Sequence, residues 1–152
     1  IISGSKGGAG EIGHICVNKD ETEKCSCGKT GCLEQYASAT GIVRMAKEKL
    51  HRYDITAKDI FDEAKAGDAS ANELINQLGE FLGTALASVA NVTNPQIFVI
   101  GGGVSKAGKI LIDATEHHFR KQAFHICSDA RFVLAKLGND AGIYGSVQLI
   151  LK

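Results

Sequence analysis

The sequence has no long apolar run and no excess of charge of either sign. No stretch approaches the ~18 consecutive apolar residues of a membrane-spanning helix, and 17 Lys and Arg residues are balanced by 17 Asp and Glu residues. Without a basic excess, sequence-independent binding to nucleic acid or to anionic lipid is not expected. Hydrophobic residues make up 44% and charged residues 22% of the 152 residues, as in an ordinary globular domain. The composition therefore predicts one soluble domain with a real core.

The chain also lacks an initiator methionine and a secretory leader. Residues 1–10 are rich in glycine and serine and show no signal-peptide pattern. Because their composition is that of a loop after a strand, we expect a fragment of a longer protein. Three of the five cysteines lie within eight residues, which suits a metal better than a disulfide framework and predicts a reducing cytoplasm. Cys16 and Cys127 fit no ligand pattern and are expected to be small core residues.

Runs rich in β-branched residues predict three strands, at 11–18, 96–100 and 131–137. The second run is continuously apolar, so we expect a strand that is buried on both faces of a sheet. Glycines 101–103 follow it directly and end it.

Helical spacing of apolar residues predicts the remaining elements. Two short helices are expected after residue 32, with a break near Gly41. A capping box formed by Thr56 and Asp59 begins another helix, which Gly67 ends. Longer helices are predicted at 69–92, 105–122 and 141–151. Helices and strands alternate, which is typical of the α/β class.

Cys25, Cys27 and Cys32 place three thiolates in one tight turn, and His14 precedes them on the predicted first strand. Thiolate sulfurs and an imidazole nitrogen are the usual ligands of tetrahedral structural zinc. The alternative is three buried free cysteines and an unrelated histidine, which fits so close a spacing less well. With four protein ligands the ion has no open position for water, so its predicted role is structural.

Two segments around this cluster carry a specific resemblance. The segment EIGH at 11–14, followed by CSCGKTGCLE at 25–34, closely resembles the signature of the ROK family of sugar kinases and sugar-responsive repressors. The similarity extends through ASATG at 37–41 to the strand end and glycines at 100–103, and so covers nearly the whole chain. Within the family the sequence is most similar to bacterial glucokinases.

The resemblance implies one half of a two-lobed enzyme. Residues 1–152 would form the C-terminal lobe of an actin/hexokinase-like (ribonuclease-H-like) ATPase fold, with a zinc loop at 14–32 and a closing helix at 141–152. The family's Asp-x-Gly-Gly-Thr phosphate loop and its base, an Asp after an Asn in the first lobe, are not found, and Asn139-Asp140 lies too far along the chain to replace that base. The isolated chain is therefore expected to be inactive. The family's last helix often packs on the other lobe. Three apolar residues of the corresponding segment here are therefore expected to be left exposed or to drive self-association, namely Ile143, Val147 and Leu151.

The resemblance also assigns a sugar site. Glu11, His14 and Glu34 would hold the sugar hydroxyls, with His14 binding zinc through one ring nitrogen and the sugar through the other. Carboxylates suit this task because each oxygen accepts a hydrogen bond from a hydroxyl without a competing donor. Taken alone, Glu34 could equally be a solvated glutamate in the first turn of a helix, where its charge complements the helix dipole.

For the nucleotide, the resemblance implies that Gly101, Gly102 and Gly103 lie against the adenosine of ATP, with Mg²⁺ bound in the full-length enzyme. A turn of three glycines between a strand and a helix permits close approach of a nucleotide, but by spacing alone a sharp turn is an equal alternative.

Several functions share this signature. The expectation is ATP-dependent phosphorylation of glucose at its 6-hydroxyl, by a cytoplasmic enzyme that forms a homo-oligomer, most commonly a dimer. A kinase for mannose, N-acetylmannosamine or fructose would share the same residues, as would a repressor whose DNA-binding module lies outside this sequence. A zinc-ribbon interaction module is disfavoured, because over a hundred residues beyond the metal turn form a periodic α/β core.

Overall fold

The computed structural model describes residues 2–151. They form five α-helices, two strands and several one-turn 3-10 helices. The helices are α1 (Ala39–Leu50), α2 (Ala57–Lys65), α3 (Ala69–Thr93), α4 (Lys109–Gln122) and α5 (Ala141–Ile150). The strands are β1 (Ile97–Ile100) and β2 (Arg131–Leu134). This alternation of helix and strand agrees with the predicted α/β class.

β1 and β2 lie side by side as parallel strands, with α4 as the crossover between them. Ile97 pairs with Arg131 at one end of the ladder. On the face toward α4, the rings of Phe98 and Phe132 both contact Phe119, with centroid separations of 5.5 and 5.0 Å. This aromatic cluster joins the sheet to the helical layer.

α3 is the central helix, and it packs most extensively against α4. Its apolar residues recur at three- and four-residue intervals, and Leu74, Ile75 and Leu78 are almost completely buried. Two glycines of α3 face α4, and a Cβ atom at Gly83 would lie only 2.7 Å from the carbonyl oxygen of Thr115. The missing side chains therefore let the two helix backbones approach each other closely.

The start of α2 follows the predicted signal, and α3 is capped at both ends. Thr56 Oγ1 accepts a hydrogen bond from the backbone N–H of Asp59 at 3.2 Å, and Asp59 Oδ2 accepts from that of Thr56 at 3.0 Å. This reciprocal pair is the predicted capping box. Asp68 caps α3 through one hydrogen bond, which its Oδ1 accepts from the backbone N–H of Ala71 at 2.8 Å. The helix ends at Asn94, whose φ of 42° lies in the left-handed region.

The predicted strand at 11–18 is not formed. A 3-10 helix spans Ile12–His14 instead, and the chain then makes a single antiparallel bridge between Cys16 and Cys32. Val17 N–H donates to the carbonyl oxygen of Gly31 at 2.8 Å beside this bridge. The prediction was wrong because the partner of this β-branched segment is the tight cysteine turn, which offers too few extended residues for a ladder.

β1 is not buried on both faces, contrary to the prediction from its apolar sequence. Phe98 and Ile100 are half-buried against the helical core, whereas Val99 is 59% exposed. In the described part of the chain, the helices cover the sheet on one face and leave the other open. β2 also ends at Leu134, earlier than predicted.

Two helix starts differ from the prediction. Gly103–Ala107 forms a 3-10 helix, and Gly108, with a φ of 76°, separates it from α4. The expected first helix after residue 32 is the 3-10 turn Leu33–Gln35. Gly41 does not break a helix but lies inside α1, where a Cβ atom would be 2.6 Å from the Gln35 carbonyl oxygen. Here glycine serves close packing rather than a break.

The closing helix α5 presents its apolar residues to solvent. Ile143 is 67% exposed, Val147 48% and Leu151, just beyond the helix, 75%. The predicted exposure is confirmed. None of the described helices combines the length and the hydropathy that a membrane span requires.

Candidate metal centre and sugar site

The cysteine turn is shaped by its glycines and by backbone hydrogen bonds. Cys25 N–H donates to the Lys29 carbonyl oxygen at 2.7 Å, which folds the segment back on itself. Gly31 has a φ of 73°, and a Cβ atom there would lie 1.8 Å from the Asn18 carbonyl oxygen. No larger residue fits this position without moving the backbone. A glycine at position 31 therefore allows the cysteine turn to lie directly against the segment that follows His14.

The four predicted ligands come together. One ligand atom from each of His14, Cys25, Cys27 and Cys32 lies within 4.8 Å of all the others. His14 Nδ1 is 3.6 Å from Cys25 Sγ, and the Sγ atoms of Cys27 and Cys32 are also 3.6 Å apart. Ligands held about 2.0–2.3 Å from one tetrahedral ion are roughly 3.5–3.8 Å apart, so the donor set and its spacing fit zinc.

The thiols of the cluster differ in their acidity. A hydrogen bond from the Lys29 backbone lowers the pKa of Cys27, whereas burial raises the pKa of Cys32 to about 12. Cys32 is fully buried, so without a cation its thiol keeps its proton at neutral pH. A bound metal ion supplies the positive charge that makes such a thiol a thiolate. The cluster therefore suits a bound cation better than three thiolates without one.

The sequence had suggested that Cys16 is a small core residue, and this prediction was wrong. Its thiol is exposed, and it does not belong to the four-residue cluster, whereas Cys127 is buried as expected. The bridge to Cys32 holds the Cys16 backbone beside the turn, and its sulfur lies 3.3 Å from the point where a Cβ atom on Gly31 would be.

Glu34 lies against the metal cluster. Its Oε1 accepts hydrogen bonds from Ser26 Oγ and from Cys25 Sγ, each at 2.8 Å, and lies 3.9 Å from His14 Nδ1. Hydrogen bonds from the Cys25 thiol and the Ser26 hydroxyl hold the pKa of Glu34 below its ordinary value. The carboxylate remains 40% exposed and is therefore accessible to a ligand. Glu11, also exposed, directly precedes the turn Ile12–His14, which packs against the turn that carries Glu34.

A second network, centred on Glu21, supports the same region and was not predicted. Glu21 Oε2 accepts from Tyr36 Oη at 2.6 Å and from Arg44 Nη2 at 2.8 Å. These contacts, led by the Tyr36 hydrogen bond, lower the pKa of Glu21 to about 2. Arg44 also lies over the Tyr36 ring at 5.1 Å and donates to Glu23. The network ties the segment before Cys25 to α1.

The glycine turn lies on another part of the surface. Gly101 follows β1, Gly102 has a φ of 76°, and Gly103 begins the 3-10 helix Gly103–Ala107. Gly103 lines a cavity of about 480 Å³ whose other walls come from α1, α2 and the segments beside them. These lining residues are Ala39, Thr56, Ala57, Lys58, Phe61, Asp62 and Lys106. The cavity has the size of a small-molecule site.

Comparison with known proteins identifies the family of the chain. The model of the ROK family matches residues 1–152. The chain belongs to the ROK family. The resemblance that the signature segments suggested is thereby confirmed.

Among curated relatives, a glucokinase of Halalkalibacterium halodurans is 46% identical over 164 aligned positions, which cover 99% of this chain and 50% of that enzyme. A glucokinase of Thermotoga maritima is 32% identical, with 99% of this chain and 51% of the enzyme covered. The chain thus spans about half the length of these curated relatives. A solved ROK glucokinase of Streptomyces griseus, in complex with glucose and AMPPNP, superposes with a TM-score of 0.86 at 33% identity, over 97% of this chain and 53% of that one.

Regulators are also among the relatives. The N-acetylglucosamine repressor of Shigella flexneri is 37% identical over 131 positions, which cover 81% of this chain and 32% of the repressor. The chain therefore shares the mixed helix-and-sheet, actin/hexokinase-like fold of the ROK sugar kinases, and its relatives include both enzymes and a repressor.

Proposed function

We propose that the parent protein is an ATP-dependent glucokinase, and that this chain is its C-terminal lobe with the zinc loop and the sugar-binding residues. The observation that carries the proposal is the contact of Glu34 with the four-ligand cluster, in a chain that is 46% identical to a glucokinase. That relative and the solved glucokinase are each about twice as long as the part matched here, which supports a two-lobed parent.

The sugar site is proposed to consist of Glu11, His14 and Glu34. Because His14 Nδ1 faces the Cys25 sulfur, the other ring nitrogen of His14 is free to bind a hydroxyl group. Glu34 and Glu11 offer carboxylate oxygens on neighbouring turns. Zinc, held by His14 and the three cysteines, supplies no open coordination position here, so its contribution is to fix these residues relative to one another.

ATP is proposed to place its adenosine against Gly101, Gly102 and Gly103. The positive φ of Gly102 and the cavity beside Gly103 support this, since backbone without side chains admits close contact with a flat base. Phosphoryl transfer depends on positioning the phosphates, neutralising their charge with Mg²⁺ and orienting the attacking hydroxyl. The residues that bind Mg²⁺ and the γ-phosphate, and the base, are assigned to the other lobe.

A ROK repressor is the second candidate, favoured by the 37% identity to a repressor. Both candidates would bind a sugar through the same residues. They differ in that an enzyme needs a base to take the proton from the sugar hydroxyl, whereas a repressor needs a module that binds DNA.

The test is a coupled assay of glucose-dependent ADP release, with the full-length protein and the 152-residue chain side by side. We expect turnover by the full-length protein and none by the chain alone. Robust turnover by the chain alone would overturn the assignment of the base to the other lobe. Glucose binding by the full-length protein without turnover, together with sugar-sensitive binding to DNA, would favour the repressor. Mannose, N-acetylmannosamine and fructose as substrates test the choice of sugar, and light scattering tests the proposed dimer.

A further inference from the structure

Ser26 stands between two metal ligands without belonging to the metal cluster. Its neighbours Cys25 and Cys27 both supply sulfurs to the cluster, while its hydroxyl donates to Glu34 Oε1 at 2.8 Å. We propose that Ser26 is a positioning residue for sugar recognition: it holds one oxygen of the Glu34 carboxylate and thereby directs the other oxygen toward the sugar. This inference rests on the proposed sugar site.

Two groups reach the same oxygen. Cys25 Sγ is also 2.8 Å from Glu34 Oε1. Cys25 belongs to the four-residue metal cluster, so its sulfur is assigned to the metal. Ser26 does not belong to that cluster, and its hydroxyl is the described group outside the cluster that donates to Oε1.

The other oxygen of Glu34, Oε2, accepts no hydrogen bond from the described residues. A Cβ atom at Gly13 would lie 3.8 Å from Oε2, so this oxygen lies beside a residue without a side chain. The Glu34 backbone is fixed separately, since Ser38 Oγ donates to its carbonyl oxygen at 2.7 Å. The main chain and one carboxylate oxygen of Glu34 are thus anchored by two serines, and the remaining oxygen lies beside Gly13 without a hydrogen bond from a described residue.

A carboxylate that is held at one oxygen presents the other in a fixed direction, which favours a hydroxyl at one position of the sugar ring. Without Ser26, the Glu34 side chain would turn about its terminal bond and lose part of its affinity for the sugar. Because a hydrogen bond to a charged group is lost, we expect the KM for glucose to rise about tenfold in Ser26→Ala.

The test uses the full-length protein with Ser26→Ala, Ser26→Thr and, as a control, Ser70→Ala, an exposed serine in the first turn of α3. Glucose affinity is measured by isothermal titration, KM and kcat by the coupled assay, and zinc by elemental analysis. Ser26→Ala is expected to raise Kd and KM for glucose about tenfold, to leave the KM for ATP and the zinc content unchanged, and to change kcat less than KM. Threonine, which keeps the hydroxyl, should restore binding to within about twofold, and Ser70→Ala should behave as wild type.

Each other outcome has a distinct meaning. Wild-type affinity in Ser26→Ala would overturn the positioning role and leave the sugar site intact. Loss of zinc together with affinity would show that Ser26 supports the metal turn instead. Failure of threonine to restore binding, with zinc retained, would show that the hydroxyl does not account for the effect and would overturn the positioning role. A wild-type protein that binds no sugar would overturn the proposed function, and the role of Ser26 with it.

Discussion

His14 Nδ1 lies 3.6 Å from Cys25 Sγ, and this pair joins the turn Ile12–His14 to the cysteine turn. The two residues are eleven positions apart, and the chain between them carries the Glu21 network. Because Nδ1 faces the sulfurs, the imidazole is oriented before any sugar binds. In the proposed function the metal site and the sugar site share this histidine, so a change in the first is expected to alter the second.

The first prediction concerns the ligand set. His14→Ala and Cys27→Ala are each expected to lower the zinc content below about one ion per chain and to lower the unfolding temperature, because metal binding contributes folding free energy directly. Elemental analysis and thermal unfolding measure both effects. Cys16→Ser is the matched control, since this exposed thiol lies outside the cluster and should be dispensable. Full zinc content and unchanged unfolding in both ligand variants would contradict the four-ligand site.

The metal cluster could be predicted because its signal is local. Three cysteines in eight residues leave few arrangements, and the structure brings all three to His14. The Glu21 network could not be predicted in the same way, since Tyr36 and Arg44 lie 15 and 23 residues along the chain from Glu21. Nothing in the spacing of these residues distinguishes them from solvated side chains.

The strands were predicted less well than the helices, for a physical reason. The apolar spacing of α3 is a property of one segment, so the helix predicted at 69–92 agrees closely with Ala69–Thr93. A strand depends on its partner instead. The segment around Val17 meets a tight turn and forms no strand. β1 forms as predicted, but in the described residues it is covered on one face and not on both.

The second prediction tests the proposed role of Glu34. Glu34→Gln keeps the shape of the side chain but removes its charge and replaces one acceptor oxygen with a donor, so glucose affinity of the full-length protein is expected to fall about 10–100-fold. Isothermal titration measures this change. Glu48→Gln, on the exposed face of α1, is the control and should bind glucose as wild type does. Equal affinities for the Glu34 and Glu48 variants would remove Glu34 from the sugar site.

The third prediction is a pH dependence of stability that comes from Glu21. A carboxyl group whose pKa is depressed on folding stabilises the fold above its unfolded pKa and loses this effect as the pH falls through the folded pKa. For Glu21 the window runs from 4.5 down to about 2. Its side chain is 10% exposed, and the shift corresponds to about 3 kcal/mol. Wild type is therefore expected to exceed Glu21→Gln by about 2–3 kcal/mol near pH 7, and by progressively less below pH 4.5.

Urea unfolding of the two proteins across this pH range provides the measurement for Glu21. Acid also releases zinc from thiolates, so the two proteins are compared at each pH and the difference between them is read. Glu48→Gln again serves as control, because Glu48 pairs with Arg44 on the surface and should contribute less than about 1 kcal/mol. A difference between wild type and Glu21→Gln that stays constant from pH 7 to pH 3 would contradict the depressed pKa.

The last prediction concerns the close approach of α3 and α4. A Cβ atom at Gly83 would lie 2.7 Å from the Thr115 carbonyl oxygen and 2.8 Å from the Phe119 nitrogen, both backbone atoms that cannot turn away. Gly83→Ala is therefore expected to lower the free energy of unfolding by about 2 kcal/mol, although alanine is the better helix former. Gly142→Ala in α5 is the matched control, because a Cβ atom there meets no atom within 4 Å. Helix propensity then acts alone, and the control should be unchanged or more stable by up to about 1 kcal/mol. Opposite signs for the two alanine variants in urea unfolding are the expected result, and stabilisation by both would show that α3 and α4 can separate at little cost.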